Sequence, residues 1–405
     1  MARLLPFLIL FNIAIFVQAF SDHKQCNKYD EPIDIRIRNI NTKLTGECLY
    51  GMNKREPRKS HMTSLPFILT TLSQLYLFSG EPTTSEIGNV LNIRNAEEVK
   101  TFFPAAIKKF NSKGVNEITW KIKVYVNNSR IYTKEFEESY EKYFFGQVDH
   151  VDFSKRCEAA RDINNWFDCQ ISDPGVKMLP CEAVKKHVGM VFANTYKVEA
   201  DLSSSFKPLC VKKLPFHLSE SQTFEVPALY GIGMVKYGRI GSYGHGYRIQ
   251  LKNSPNSLLL VKGNVPKLLE LFRDQKIFDA FLERLIDTNM TLTFPHLNVK
   301  GGTDFVSHFE ALGVLFSLFK PHGGEFNHVF KYNDSVYISN LLQKNSIKVN
   351  EGLKQCDPDS QEDSEEYDLP NHVIDGPFLY IFLCDKSSPM LSGTCYGDCH
   401  SGRTC

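Results

Sequence analysis

The chain has 405 residues, 47 Lys and Arg against 46 Asp and Glu, a formal net charge of +1 and eleven cysteines. A balance this close to neutral argues against a nucleic-acid binder or a polybasic membrane-surface protein, and the length gives one large domain or two small ones. An odd cysteine count leaves at least one thiol free or paired with another chain, and the pairing is not deducible.

Arg3 precedes an apolar run, Leu4 to Val17, and Val17-Gln18-Ala19 offers small residues for cleavage. Residues 1–19 therefore read as a secretory signal peptide, with an uncleaved anchor as the alternative; the run is too short to span a bilayer. Secretion places the cysteines in an oxidising compartment. An N-terminal segment, 20–51, follows, with Ile33, Ile35 and Ile37 alternating. Leu65, Ile68, Leu69, Leu72, Leu75 and Tyr76 recur at helical spacing and predict a helix from Thr63 or Ser64 to Gly80. Two more helical patterns follow, one through Ile87 and Leu91 and one through Val99 to Phe110.

Ile118, Trp120, Ile122, Val124 and Val126 alternate as a half-buried strand. Phe136–Phe145 and Ala159–Cys169 read as helices, and Met190–Tyr196 as a strand buried on both faces. From Thr223 to Val261 the glycines, Gly231, Gly233 and Gly238 among them, predict several short strands with turns. Val265–Ile286 reads as helical, Thr288–Phe294 as a strand, and Phe305 to Leu312 as a helix closed by Gly313. Strands Phe378–Leu383 and Pro389–Thr394 finish the core. Helices cluster early and strands late, which predicts an α+β domain without internal repeats.

Between Ser346–Asn350 and Phe378 lies the chain's most unusual stretch. Residues 357–368 carry seven acidic side chains and no basic one. A segment of this kind cannot bury enough surface to offset its ordering entropy, and long loops of compact domains are usually functional or disordered.

The order of several fragments resembles the serpin family. Ser64 to Leu91 resembles its early buried helix, turn and next helix. Val151-Asp152-Phe153 and Ile163-Asn164-Asn165-Trp166 resemble the entry to the helix lying across its main sheet. Asn194-Thr195-Tyr196, Val226-Pro227-Ala228-Leu229, Val349-Asn350-Glu351-Gly352 and Asp375-Gly376-Pro377-Phe378 complete the likeness, which runs from Met52 to Tyr396. It implies a serpin fold of three β-sheets and eight or nine helices over 52–396, an exposed reactive-centre loop over 352–375, and an extra cysteine-containing tail, 397–405. In inhibitory members a serine protease cleaves the loop, which then enters the main sheet as a strand and traps the acyl-enzyme. Spacing from Gly352 to Pro377 puts the corresponding scissile bond near Glu366-Tyr367.

The hinge opposes such entry. It reads Gly352-Leu353-Lys354-Gln355-Cys356-Asp357-Pro358-Asp359. Pro358 lacks the donor a central strand needs, and burying Lys354, Asp357 or Asp359 costs several kcal/mol unless each is paired. Phe67, Gln343 and Leu202 also depart from what the family places where strands must part. The chain is thus expected to be a secreted, monomeric binding protein that does not trap proteases, with the acidic loop as a docking strip for a basic extracellular partner. The alternative is a working serine-protease inhibitor of unusual specificity. Glu365-Glu366-Tyr367-Asp368 also has the look of a tyrosine-sulfation context.

Asn127, Asn289 and Asn333 head glycosylation triplets. Cys395-x3-Cys399-His400-x4-Cys405 fits no common zinc signature, and disulfides are the expected alternative. The histidines have no metal-ligand spacing, and no catalytic motif appears, so neither an enzyme nor a cofactor is expected. Lys108, Lys109 and Lys113 read as a solvated helix face, with a heparin-binding face the alternative that the resemblance offers.

Overall fold

The computed structural model describes residues 31–110, 117–173, 176–185, 189–203, 205–312, 316–320, 325–326, 328–331, 337–350, 352–356, 369–385 and 387–399. The chain opens on α1 (Ile33–Arg55), a helix that crosses residue 51 without a break. The Ile33/Ile35/Ile37 alternation therefore does not make a strand. No apolar stripe announces this helix, because it buries Arg36, Asn41, Glu47 and Asn53 along with Leu44 and Leu49. Each of these four polar side chains has its own partner. Arg36 bonds to Glu98 and the Asn92 carbonyl, and Asn41 Nδ2 to the Pro389 carbonyl at 2.6 Å. Arg273 pairs with Glu47 at 2.9 Å, and Tyr396 donates to Asn53 at 2.8 Å.

A short strand β1 (His61–Thr63) leads into α2 (Leu65–Phe78), whose apolar residues run through the middle of the core. Helices α3 (Thr83–Leu91) and α4 (Ala96–Phe110) precede strand β2 (Glu117–Asn127). Helix α5 (Lys134–Phe144), strand β3 (Gln147–Val151), helix α6 (Arg156–Gln170) and strand β4 (Met190–Ala200) follow.

Strands β5 (Phe206–Ser219) and β6 (Gln222–Ile240) form a long antiparallel pair. The glycines expected to break this region do not: Gly231, Gly233 and Gly238 lie inside one strand of 19 residues. Gly231 and Gly233 are there because β5 starts against them. A Cβ on Gly231 would sit 2.7 Å from the Phe206 ring, and one on Gly233, at φ +139°, 2.1 Å from the Ser205 carbonyl oxygen. Turn-making falls to Gly241 at φ +54°.

The remaining elements are β7 (Gly244–Gln250), β8 (Ser257–Gly263), α7 (Val265–Phe272), α8 (Gln275–Glu283), β9 (Ile286–Pro295), β10 (Asn298–Asp304), α9 (Val306–Leu312), α10 (Phe316–Phe319), β11 (Ile338–Val349), β12 (Asn371–Val373), β13 (Phe378–Cys384) and β14 (Ser388–Cys395). The single helix expected over Val265–Ile286 is two, divided at Asp274, whose carboxylate caps α8 by accepting from the Lys276 amide. The described residues hold ten α-helices, nine of them after α1, in keeping with the eight or nine expected over 52–396.

One sheet has five strands in the order β10-β11-β4-β2-β3. The other strands form a nine-stranded path, β1-β14-β13-β8-β7-β6-β9-β12, with β5 on β6. Strand β6 belongs to two curved sheets at once, pairing with β5 and β9 over most of its length and with β7 at its end. Two of the three expected sheets are thereby joined through one strand, and the five-stranded sheet stands apart. Helix α6 packs Ile163 and Phe167 on Tyr125, Val191 and Leu342, one residue each from β2, β4 and β11, so it lies across the five-stranded sheet.

Candidate functional site: the loop hinge and the sheet seam

Strands β4 and β11 are parallel neighbours, paired from Met190 with Ile338 to Ala200 with Val349, with one register shift between Ile338 and Asn340. This is where an inserted strand would enter. β11 ends in a reversal: Asn350 has φ +50° and Gly352 φ +90°. Asn350 holds its left-handed turn by donating its amide to the Ala200 carbonyl at 2.9 Å and accepting the Leu202 amide on Oδ1 at 3.1 Å.

Beyond the turn the hinge docks on the edge strand β5. The Val211 amide donates to the Lys354 carbonyl at 2.9 Å, and the Cys356 amide donates to the Val211 carbonyl at 2.8 Å. Val211 and Gln355 form a parallel bridge. A disulfide joins Cys356 to Cys210, 146 residues earlier, with Cα atoms 5.0 Å apart. Leu353 packs half-buried against the core, while Lys354 and Gln355 are exposed. The hinge is thus a short added strand on the neighbouring sheet, covalently fixed there.

The outgoing end is anchored as firmly. Strand β12 pairs with β9, Ile374 is buried, and Asp375 meets Lys262 at 2.5 Å. The Lys262 ammonium also donates to the Val373 carbonyl at 2.9 Å. Of the expected loop residues, Gly352, Leu353 and Lys354 are placed as described. Pro358, Glu366 and Tyr367 lie outside the described residues.

Beneath the seam, Gln343 and Phe67 hold the sheet to α2. Gln343 accepts the Ser64 amide at 2.8 Å and donates to the Ser64 carbonyl at 2.6 Å, while Ser64 Oγ donates to the Met390 carbonyl. Asn345 also donates to Gln343 Oε1 at 2.9 Å. Phe67 stacks between Trp120 of β2 and Tyr196 of β4, with ring centroids 4.5 and 4.4 Å away. Thr71 and Asn194 exchange contacts at 3.3–3.4 Å. Leu202 is buried and bridges Leu251. On the opposite face, Lys344, fully buried, pairs with Asp168 of α6 at 2.8 Å.

Further disulfides join Cys157 to Cys181 and Cys395 to Cys399; Cys48 and Cys169 are free thiols among the described residues. With their sulfurs bonded to each other, Cys395 and Cys399 are not thiolate ligands, and the Cys395/Asp398/Cys399 group does not fit a metal in this oxidation state. Burial pushes the Cys48 thiol up to about 12. Asn127 turns its side-chain oxygen onto the Ser129 amide and hydroxyl at 3.1 and 2.9 Å and is nearly buried, whereas Asn289 on β9 is exposed. Asn333 lies outside the described residues, as do Lys113 and the Lys109 side chain. The pairing of Cys210 with Cys356 had no signal in spacing; only the fold brings β5 beside the hinge.

The family model for serpins (serine protease inhibitors) matches residues 39–396. This chain belongs to the serpin family. It is 24% identical to Antichymotrypsin-2 of Bombyx mori over 353 residues, covering 86% of this chain and 89% of that one. Its fold matches native protease nexin-1, crystallised with heparin, at a TM-score of 0.77 and 18% identity, over 90% of this chain and 99% of that one. Human thyroxine-binding globulin, solved with its ligand, matches at a TM-score of 0.77 and 16% identity, over 88% and 97%. Among the described residues no helix is long and apolar enough to cross a membrane.

Proposed function

We propose that this serpin is a secreted extracellular binding protein that does not insert its reactive-centre loop. The observation that carries this reading is the Cys210–Cys356 disulfide. For the loop to become a strand between β4 and β11, Cys356 must leave β5. With the disulfide closed, only Leu353, Lys354 and Gln355 are free to turn back toward the seam, too short a segment for a central strand. Two backbone hydrogen bonds to Val211 hold the same segment. The residues after it add a proline and carboxylates that a buried strand does not accommodate.

With insertion blocked, the segment between the two anchored ends carries seven carboxylates. Such a strip suits a partner carrying Arg and Lys, bound through charge-assisted hydrogen bonds and sensitive to salt. Incubation with a panel of serine proteases tests the first half: no detergent-stable complex should form. Replacing Glu362, Asp363, Glu365 and Glu366 by their amides tests the second: capture of an arginine-rich probe peptide should be lost.

A second reading, a trapping inhibitor with a specialised acid-preferring target, is favoured by the closed five-stranded sheet, in which β4 and β11 meet with no strand between them. The inhibitor names of relatives such as Antichymotrypsin-2 point the same way. A covalent complex formed by the disulfide-intact protein would establish this reading instead.

A further inference from the structure

A cavity of about 400 Å³ lies between the end of α1, strand β1 and the β10–α9 connection, away from any residue assigned a role so far. Arg55, Lys59, His61 and His308 all line it, and so do two carboxylates, Glu56 and Asp304. The carboxylates are already engaged. Glu56 pairs with Lys59 at 2.9 Å. Asp304 accepts the Val306 and Leu341 amides on Oδ1, each at 3.1 Å, and the Asn340 amide group on Oδ2 at 2.6 Å. Arg55 makes no ion pair among the described residues.

The two histidines have defined tautomers. His61 Nε2 is 3.3 Å from the Glu56 carbonyl oxygen, and His308 Nδ1 is 3.1 Å from that of Asp304. A carbonyl only accepts, so each of these nitrogens carries its ring's proton. His61 Nδ1 and His308 Nε2 are then bare in the neutral rings. The charged groups facing the rings are Arg55, Glu56 and Lys59 beside β1, and Asp304 from β10. Burial holds His61 below its usual range and, with the Arg55 charge, brings His308 down to about 4. The cavity therefore holds a guanidinium with no ion pair among the described residues and two ring nitrogens that burial, more than charge, keeps unprotonated. An anion placed there would accept from Arg55 and draw protons onto both rings, turning two bare nitrogens into donors.

We propose that this cavity binds a tetrahedral oxyanion, the head group of a phosphate or sulfate ester, and takes up protons as it does so. The volume exceeds that of the head group and leaves room for a sugar-sized remainder. Ser307 lies at the exposed rim, where it suits a hydroxyl.

Inorganic sulfate is the first probe, because it remains a dianion throughout and any pH dependence then belongs to the protein. Calorimetric titration of the whole protein is run at about pH 5.5 and about pH 7.5, where histidine charge changes, at constant ionic strength and in two buffers of different ionisation enthalpy. The expected result is saturable binding, about fivefold or more tighter at the lower pH, with net proton uptake. Arg55→Gln, a surface change that leaves the core intact, should weaken binding about tenfold at both pH values. His308→Gln should flatten the pH dependence. Glucose 6-phosphate and glucose 6-sulfate then distinguish the source: the tighter of the two names the ester. Binding of sulfate with neither ester would mark an adventitious ion only and overturn the assignment. So would pH-independent binding, absence of saturation, or an unchanged affinity in Arg55→Gln.

Discussion

The ammonium of Lys344, fully buried on β11, lies 2.8 Å from the half-exposed carboxylate of Asp168 on α6. A single ion pair therefore fastens the helix that crosses the sheet to the strand beside the seam. Asp168→Asn removes the counter-charge and leaves a cation with no solvent of its own. Breaking a buried pair costs about 3–5 kcal/mol, and exposure on the Asp168 side lowers the expectation to about 2 kcal/mol. Urea unfolding of the variant should report a loss of this size with an unchanged m-value; a loss near zero would mean the pair does not clamp the helix.

On the inner face the seam is held by Gln343 and Phe67. Gln343→Ala strands both backbone groups of Ser64, at about 1–3 kcal/mol. Phe67→Ala opens a hole between Trp120 and Tyr196, at about 3–5 kcal/mol. The two side chains act on different strands, so the double variant should be nearly additive. A wild-type melting profile in Gln343→Ala would contradict the role given to that amide.

How much of this was legible in the sequence varied with the physics of each element. Strands β4 and β13 are buried along nearly their whole length, and their near-continuous apolar runs announced them. Helix α1 did not announce itself, because it buries Arg36, Asn41 and Glu47 against partners that only the folded chain supplies. The glycines of β6 are spacers for a close strand crossing, which sequence alone does not distinguish from turns. At the hinge, the proline and the charges were visible as obstacles, but the disulfide was not. Eleven cysteines permit many pairings, and the closeness of residues 210 and 356 is a property of β5 lying beside the end of β11.

Replacing Cys210 and Cys356 together by Ser frees a loop closed over 146 residues. Such a crosslink stabilises by about 2–4 kcal/mol, largely by restricting the unfolded chain. Calorimetry should show the double variant melting lower by a corresponding amount while its far-ultraviolet spectrum stays unchanged. A higher melting temperature would mean that the crosslink holds the chain away from a more stable form.

Acid should weaken the fold. His308 is held neutral down to about 4, chiefly by burial and then by Arg55, while the unfolded chain takes up its proton near 6.5. The unfolded state therefore binds more protons between these values, and the stability present above about pH 6.5 is lost as pH falls toward 4. A shift of this size is on the order of 2–3 kcal/mol. His308→Gln should make the melting temperature less dependent on pH across this window; an unchanged slope would assign the acid sensitivity elsewhere.

The central claim is that the hinge cannot leave β5, and nicking the loop tests it most directly. The disulfide-intact protein is cleaved within residues 357–368 by a broad-specificity protease, and its melting temperature is compared with that of the uncut chain. The account predicts little change, with β4 and β11 still paired. A rise of tens of degrees, with residues 353–366 threaded between β4 and β11 as a sixth strand, would contradict it.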